Sequence, residues 1–194
     1  MMKLKIWELS LFVALVIAVL WGVLLEQRKL GLSDQLIRLH VVAHSDEAAD
    51  QSTKYEVRDR VYGLVLELLE DASTRAEAEA RIAAYLTEIQ EAAGAPVQVA
   101  LTRERYPTRA YAGFTLPAGL YSSLRVEIGA AGGQNWWCVV FPPLCIEAAR
   151  GPEALETMGL TEGEVALIAS GDAGQQVRFR ALELIDGLKA WLGL

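Results

Sequence analysis

Histidine and cysteine are nearly absent from this 194-residue chain, which has two of each. That scarcity limits the chemistry open to it. His40, His44 and Asp46 are the nearest approach to a metal site, and zinc normally needs three or four well-placed ligands. Arg38, on the same strand face as His40, would repel a cation. These positions read instead as an exposed strand histidine and a helix-capping turn, so no metal and no cofactor is expected. A Cys–His hydrolase would have to pair Cys138 or Cys145 with His40, but a cysteine beside a second cysteine outside the cytoplasm is more often oxidised, and oxidised sulfur is no nucleophile. No nucleophile-elbow serine occurs, and the glycine-rich residues 129–133 lack the lysine and helix of a phosphate loop. The chain reads as a protein without catalysis of its own, with a cell-envelope enzyme using Cys/His chemistry as the alternative.

Positive charge is also short. The net charge is −7, and the first 29 residues carry four Lys/Arg against two Asp/Glu, leaving −9 for the rest. A domain that acidic is a poor match for nucleic acid or an anionic membrane surface. Internal repeats and low-complexity tracts are missing too.

Charge is wholly absent from residues 9–25, where only Ser10 and Gly22 interrupt the apolar run. Such a helix has no polar face to turn to water, which argues against a core helix. Seventeen helical residues rise about 25 Å, slightly short of a ~30 Å hydrocarbon core, and no clear Ala-x-Ala site follows. Lys3 and Lys5 precede the run. Residues 1–29 therefore read as a signal peptide or a membrane anchor, with the basic end inside and the remainder exported. Cleavage and retention both remain open.

What the chain does have is concentrated in residues 134–145, Gln-Asn-Trp-Trp-Cys-Val-Val-Phe-Pro-Pro-Leu-Cys. Trp136 and Trp137 are adjacent, so on a strand their rings take opposite faces. One can enter a core while the other stays at the surface. Pro142 and Pro143 stop strand pairing where the chain leaves the sheet. Rigid aromatics beside a turn suit an interaction hot spot, so Asn135, Trp136, Trp137, Phe141, Pro142 and Pro143 are the expected partner-binding residues. A partner's loop could also add to the sheet edge there. A surface tryptophan as a stacking platform would instead make this a cell-wall glycan-binding module. Cys138 and Cys145, seven apart, are either a disulfide across the diproline turn, adding roughly 2–3 kcal/mol, or two buried thiols.

Periodicity supplies the frame. Residues 36–43 alternate, with Ile37, Leu39 and Val41 on one side and Arg38 and His40 on the other, a strand with one buried face. Ser45 and Asp46 are placed to cap a helix running to about Glu70 through Val57, Val61 and Val65. Thr74 and Glu77 form a capping box for a second helix, with Ile82, Tyr85, Leu86 and Ile89 as its stripe. Strands follow at Val97–Leu101, near residues 109–116, through Leu124, Val126 and Ile128, and at the tryptophan pair, the last two joined by a hairpin loop at 129–133. Residues 148–176 read as a linker and 177–194 as a C-terminal amphipathic helix. With residues 30–147 as the core domain, the expected fold is α+β: a mostly antiparallel sheet with two long helices and the C-terminal helix packed on it.

These segments resemble the stage II sporulation protein R family. The likeness rests on "LIRLHVVAHSDEAADQ…KYEVRDRV", "YPTRAYAGFTLPAGLYSSLRVEIG", "GQNWWCVVFPPLC" and "VRFRALELIDGL", in that order. The resemblance implies an exported signalling protein, made in the forespore and delivered to the space between the forespore and mother-cell membranes. Its partner would be a membrane-embedded aspartic protease of the mother cell, which processes the precursor of a sigma factor. The family usually has Asn where this chain has His44, which puts any Asn-specific cap there in doubt. The segment after Cys145 is also shorter than in members with a long charged insert.

Overall fold

The computed structural model describes residues 6–94, 96–111 and 114–147, together with 160, 161, 164, 165 and 168; the side chains at 8, 25–30, 146 and 147 are not among those described. Alternating apolar residues build strand β1 (Ile37–Val42), valine- and leucine-containing alternation builds β2 (Val97–Tyr106) and β5 (Gly119–Ile128), and a run of aromatic and β-branched residues builds β6 (Asn135–Phe141). These four form one sheet in the order β2-β5-β1-β6. β1 runs parallel to β5, whereas the β1–β6 and β2–β5 pairs are antiparallel. The mostly antiparallel α+β architecture is therefore present.

One face of the sheet carries three helices, α2 (Ala48–Leu69), α3 (Arg75–Ala84) and α4 (Leu86–Ala93). Val57, Val61 and Val65 of α2, Ile82 of α3 and Ile89 of α4 close over Leu39, Val41, Leu124 and Val126, all at most 1% exposed. Burying each such side chain is worth about 1.5–3 kcal/mol, which makes this layer the main core. The capping box at Thr74 forms: its hydroxyl accepts from Glu77 N at 3.2 Å, and the Glu77 carboxylate accepts from Ser73 N at 3.0 Å. The single helix expected after it is two, because the backbone at Tyr85 (φ −109°, ψ 17°) leaves the helical region.

The other face is covered as well. β3 (Arg109–Tyr111) and β4 (Phe114–Leu116) pair with each other as a separate two-stranded sheet, where one strand was expected. Phe114 and Leu116 join Leu32, Leu36, Tyr106, Tyr121, Val139 and Leu144 in a second core. Leu160, Val165 and Ile168, from the stretch read as a linker, are buried in that core too. This second layer overturns the reading of β1 as a strand with one buried face: all six of its residues are buried, Arg38 and His40 included.

Residues 129–133 are not a hairpin either. β1 lies between β5 and β6, so the loop crosses the end of β1 and docks on the chain leaving it. Gly132 N and Gly133 N donate to His44 O and Ala43 O at 3.1 and 3.0 Å, and Ala130 N donates to His44 Nδ1 at 2.9 Å.

Helix α1 (Ile6–Ser33) contains the uncharged run, whose side chains from Leu9 to Leu24 are exposed wherever they are described, apart from the half-buried Gly22. Among the described residues no helix is long and apolar enough to cross a membrane. The C-terminal helix expected at 177–194 lies outside the described residues.

Candidate interaction surface on strand β6

Among the described residues β6 is an edge strand, and its hydrogen bonds say which backbone groups point outward. Ala43 N donates to Gln134 O at 3.4 Å, so residue 134 faces β1. Val139 N donates to Cys145 Sγ at 3.2 Å, so residue 139 faces away. Backbone direction alternates along a strand, so Trp136 and Cys138 pair with β1 whereas Asn135 and Trp137 present N–H and C=O to the open edge. The only register shift in this pair falls between Ile37 and Arg38, opposite Phe141 and Val139, and leaves the rule intact over 135–139.

Side chains alternate across the sheet in the same strand. Trp136 packs on the helical face, edge-on to Tyr62 at 6.5 Å between ring centroids. The Arg58 guanidinium lies 5.1 Å from its ring and 4.8 Å from that of the exposed Tyr55. Trp137 packs on the opposite face, 5.7 Å from His40 and 5.8 Å from Tyr106, with the Arg109 guanidinium 5.0 Å from its ring. The two indoles do take opposite faces. Neither is free, however: each is half-buried against a different core and has an arginine over it.

The other expected surface residues divide. Asn135 is exposed, with its Oδ1 2.7 Å from His40 Nε2. Phe141 packs on the helical core and Pro143 is half-buried. Pro142, which follows a cis peptide bond, is buried. Cys138 and Cys145 are joined as a disulfide with Cα atoms 6.3 Å apart.

The cap expected from Ser45 and Asp46 is not made. The N-cap of α2 is Glu47, without a side-chain bond. Ser45 Oγ accepts from Glu47 N at 3.1 Å and donates to Asp50 at 2.5 Å. Asp46 Oδ1 accepts from Gln134 N at 2.8 Å. Lys54, buried in α2, donates to Gln134 O at 3.3 Å. The turn after β1 therefore holds the start of β6, because the crossing loop brings Gln134 within reach of it.

Beneath Trp137 lies a polar cluster that periodicity did not reveal. Glu104 on β2 accepts from His40 Nδ1 at 3.0 Å, Ser123 at 2.8 Å and Tyr106 at 3.0 Å, and it is ion-paired with Arg125. Burial would raise its pKa, but the hydrogen bonds from His40, Arg125 and Ser123 outweigh burial and hold the carboxyl well below the usual range. Burial pushes the Tyr106 and Tyr121 hydroxyls far up, so both stay protonated. Arg38, fully buried, stacks on Tyr106 and donates to the Tyr111 hydroxyl. Only strand pairing assembles this group, since Glu104 reaches His40 across β5. Among the described residues no three His, Cys, Asp or Glu side chains are grouped to hold a metal ion.

No solved structure matches the chain. Among curated proteins, stage II sporulation protein R of Bacillus subtilis (strain 168) is 33% identical over 140 residues, 68% of this chain and 62% of that protein. The match thus spans less than two thirds of the relative's length. In a comparison with protein families, residues 33–150 match stage II sporulation protein R. Those residues contain the whole four-stranded sheet, both tryptophans and the disulfide, and the chain belongs to the stage II sporulation protein R family.

Proposed function

We propose that this protein is an exported sporulation signal that works by contact. Its apolar leader directs it out of the forespore into the space between the two membranes. There it engages a membrane-embedded aspartic protease of the mother cell, which then processes the precursor of a sigma factor. Family membership supports the sporulation role. The observation that carries the contact reading is the β6 strip, where an edge strand presents Trp136 under Arg58 on one face and Trp137 under Arg109 on the other. Aromatic and arginine side chains on a rigid strand are the residue types that dominate binding energy at protein interfaces.

The test is complementation of a deletion strain. Loss of the chain is expected to block sigma-factor processing. A version in which residues 1–29 are replaced by a known export signal is expected to restore it. Normal processing in the deletion strain would sink the proposal, and so would hydrolysis of a substrate by the purified protein that a single side-chain truncation abolishes.

A further inference from the structure

The open stretch of β6 has a defined length and a defined charge. At one end the strand begins at Asn135, because the preceding Gln134 turns its N–H and C=O away from the edge, to Asp46, Lys54 and Ala43. At the other end the outward N–H of Val139 is occupied by Cys145 Sγ. Between these stops the outward N–H and C=O groups of Asn135 and Trp137 have no backbone partner among the described residues. At about 3.3 Å per residue the window spans roughly 10–13 Å, enough for three or four residues of an added strand.

The side chains beside the window set its preference. Consecutive residues of an added strand point to opposite faces of the sheet. One would lie beside Trp136 and Arg58, and the next beside Trp137 and Arg109. Both neighbours are cations in a chain whose net charge is −7. Arg58 already touches Asp59, but that carboxylate is 67% exposed, and exposed pairs of this kind are weak and exchangeable. Arg109 has no ion pair among the described residues.

We propose that β6 binds an extended acidic segment of a protein partner as a fifth strand, pairing through the backbone of Asn135 and Trp137, with two successive carboxylates meeting Arg58 and Arg109. The signalling reading supplies only the owner of that segment, an extracytoplasmic stretch of the protease. The pairing itself rests on the strand.

The experiment uses the full chain, isotope-labelled in detergent, with the capped hexapeptide Thr-Val-Asp-Glu-Val-Thr and a counterpart carrying two lysines at its centre. The acidic peptide is expected to bind, to shift the Asn135 and Trp137 amides and to slow their hydrogen exchange. The Val139 amide should change little. In the double variant Arg58→Glu/Arg109→Glu, affinity for the acidic peptide is expected to fall on the order of tenfold, and the lysine peptide should become the better ligand. If that variant does not fold, Arg58→Gln/Arg109→Gln replaces it, and loss of preference for the acidic peptide is then the expected result. Equal binding of both peptides by the unaltered chain, or binding without protection at 135 and 137, would overturn the proposal. If processing requires the chain but the edge takes no acidic peptide, the acidic-strand proposal falls and the signalling reading stands. If the edge binds as described but processing ignores the chain, the partner lies elsewhere.

Discussion

Arg38 lies against the ring of Tyr106, its guanidinium carbon 3.8 Å from the ring centroid, in the middle of the second core. Tyr121 and Tyr111 flank it at 5.1 and 5.9 Å. Its Nε and Nη1 have no hydrogen-bond partner among the described residues. A caged cation of this kind is held by ring faces, at roughly 2 kcal/mol or more when desolvated, against the cost of keeping a charge from water. Arg38→Met is therefore expected to change stability by less than about 1 kcal/mol, since an apolar chain of similar volume needs no compensation. Arg38→Lys should destabilise by more than that, because a compact, strongly hydrated ammonium cannot stack as the planar guanidinium does. Urea unfolding of both variants checks the order. A reversed order would mean that the charge is required.

Glu104 is expected to contribute to the acid limit of the fold. Its carboxyl is held well below the ordinary value of 4.5 by the bonds from His40, Arg125 and Ser123, which outweigh burial. A depressed carboxylate adds stability that is fully present above its unfolded pKa and is lost as pH falls through the folded one. Melting temperature should thus decline as pH drops below about 4.5, and Glu104→Gln should flatten that decline while lowering the plateau at neutral pH. A variant with the same slope as the parent would show that other carboxylates govern acid unfolding.

Reduction of Cys138–Cys145 should cost roughly 2–3 kcal/mol, the chain-entropy value for so short a loop. It should also loosen one amide, because Cys145 Sγ is the acceptor for Val139 N. Urea titrations with and without reductant measure the first effect, and hydrogen exchange at Val139 measures the second. Unchanged midpoints would remove the bridge from any account of stability.

Gly132 and Gly133 are neighbours with opposite tolerances. A Cβ on Gly133 would sit 2.2 Å from Ser45 O, which is backbone and cannot swing aside, whereas one on Gly132 meets nothing nearer than 3.4 Å. Gly133→Ala is expected to destabilise by roughly 1–3 kcal/mol, in the range of overpacked sites, and Gly132→Ala by well under 1. Thermal melts of the pair decide whether the crossing loop needs that close approach.

Both tryptophan truncations should weaken the fold. Each ring is half-buried against its own core, so Trp136→Ala and Trp137→Ala are each expected to cost roughly 1–3 kcal/mol, below the roughly 3–5 of a fully buried aromatic. Calorimetry of the two variants provides the comparison. Loss of folding in only one would mean that the two cores are unequal supports.

Residues whose role depends on near neighbours were legible beforehand. The alternation of Ile37, Leu39 and Val41, the Thr74–Glu77 capping box and the opposite-facing tryptophans all follow from bonds and spacings within a few residues. Misreadings arose where a distant segment intervenes. Arg38 and His40 looked exposed because nothing near them in the chain announces the second layer of Phe114, Tyr121 and Leu160. Ser45 and Asp46 looked like caps, but Gln134 competes for Asp46.

From its residues alone, the chain determined its α+β character, the uncharged run at residues 9–25 and its family likeness, because periodicity, charge and motif order are local properties of a polymer. Tertiary structure alone decided that β1 lies between β5 and β6, that Glu104 meets His40 and that Asn135 and Trp137 face an open edge. Those outcomes depend on which strands find each other across the chain, and strand pairing is chosen by the burial of both sheet faces together.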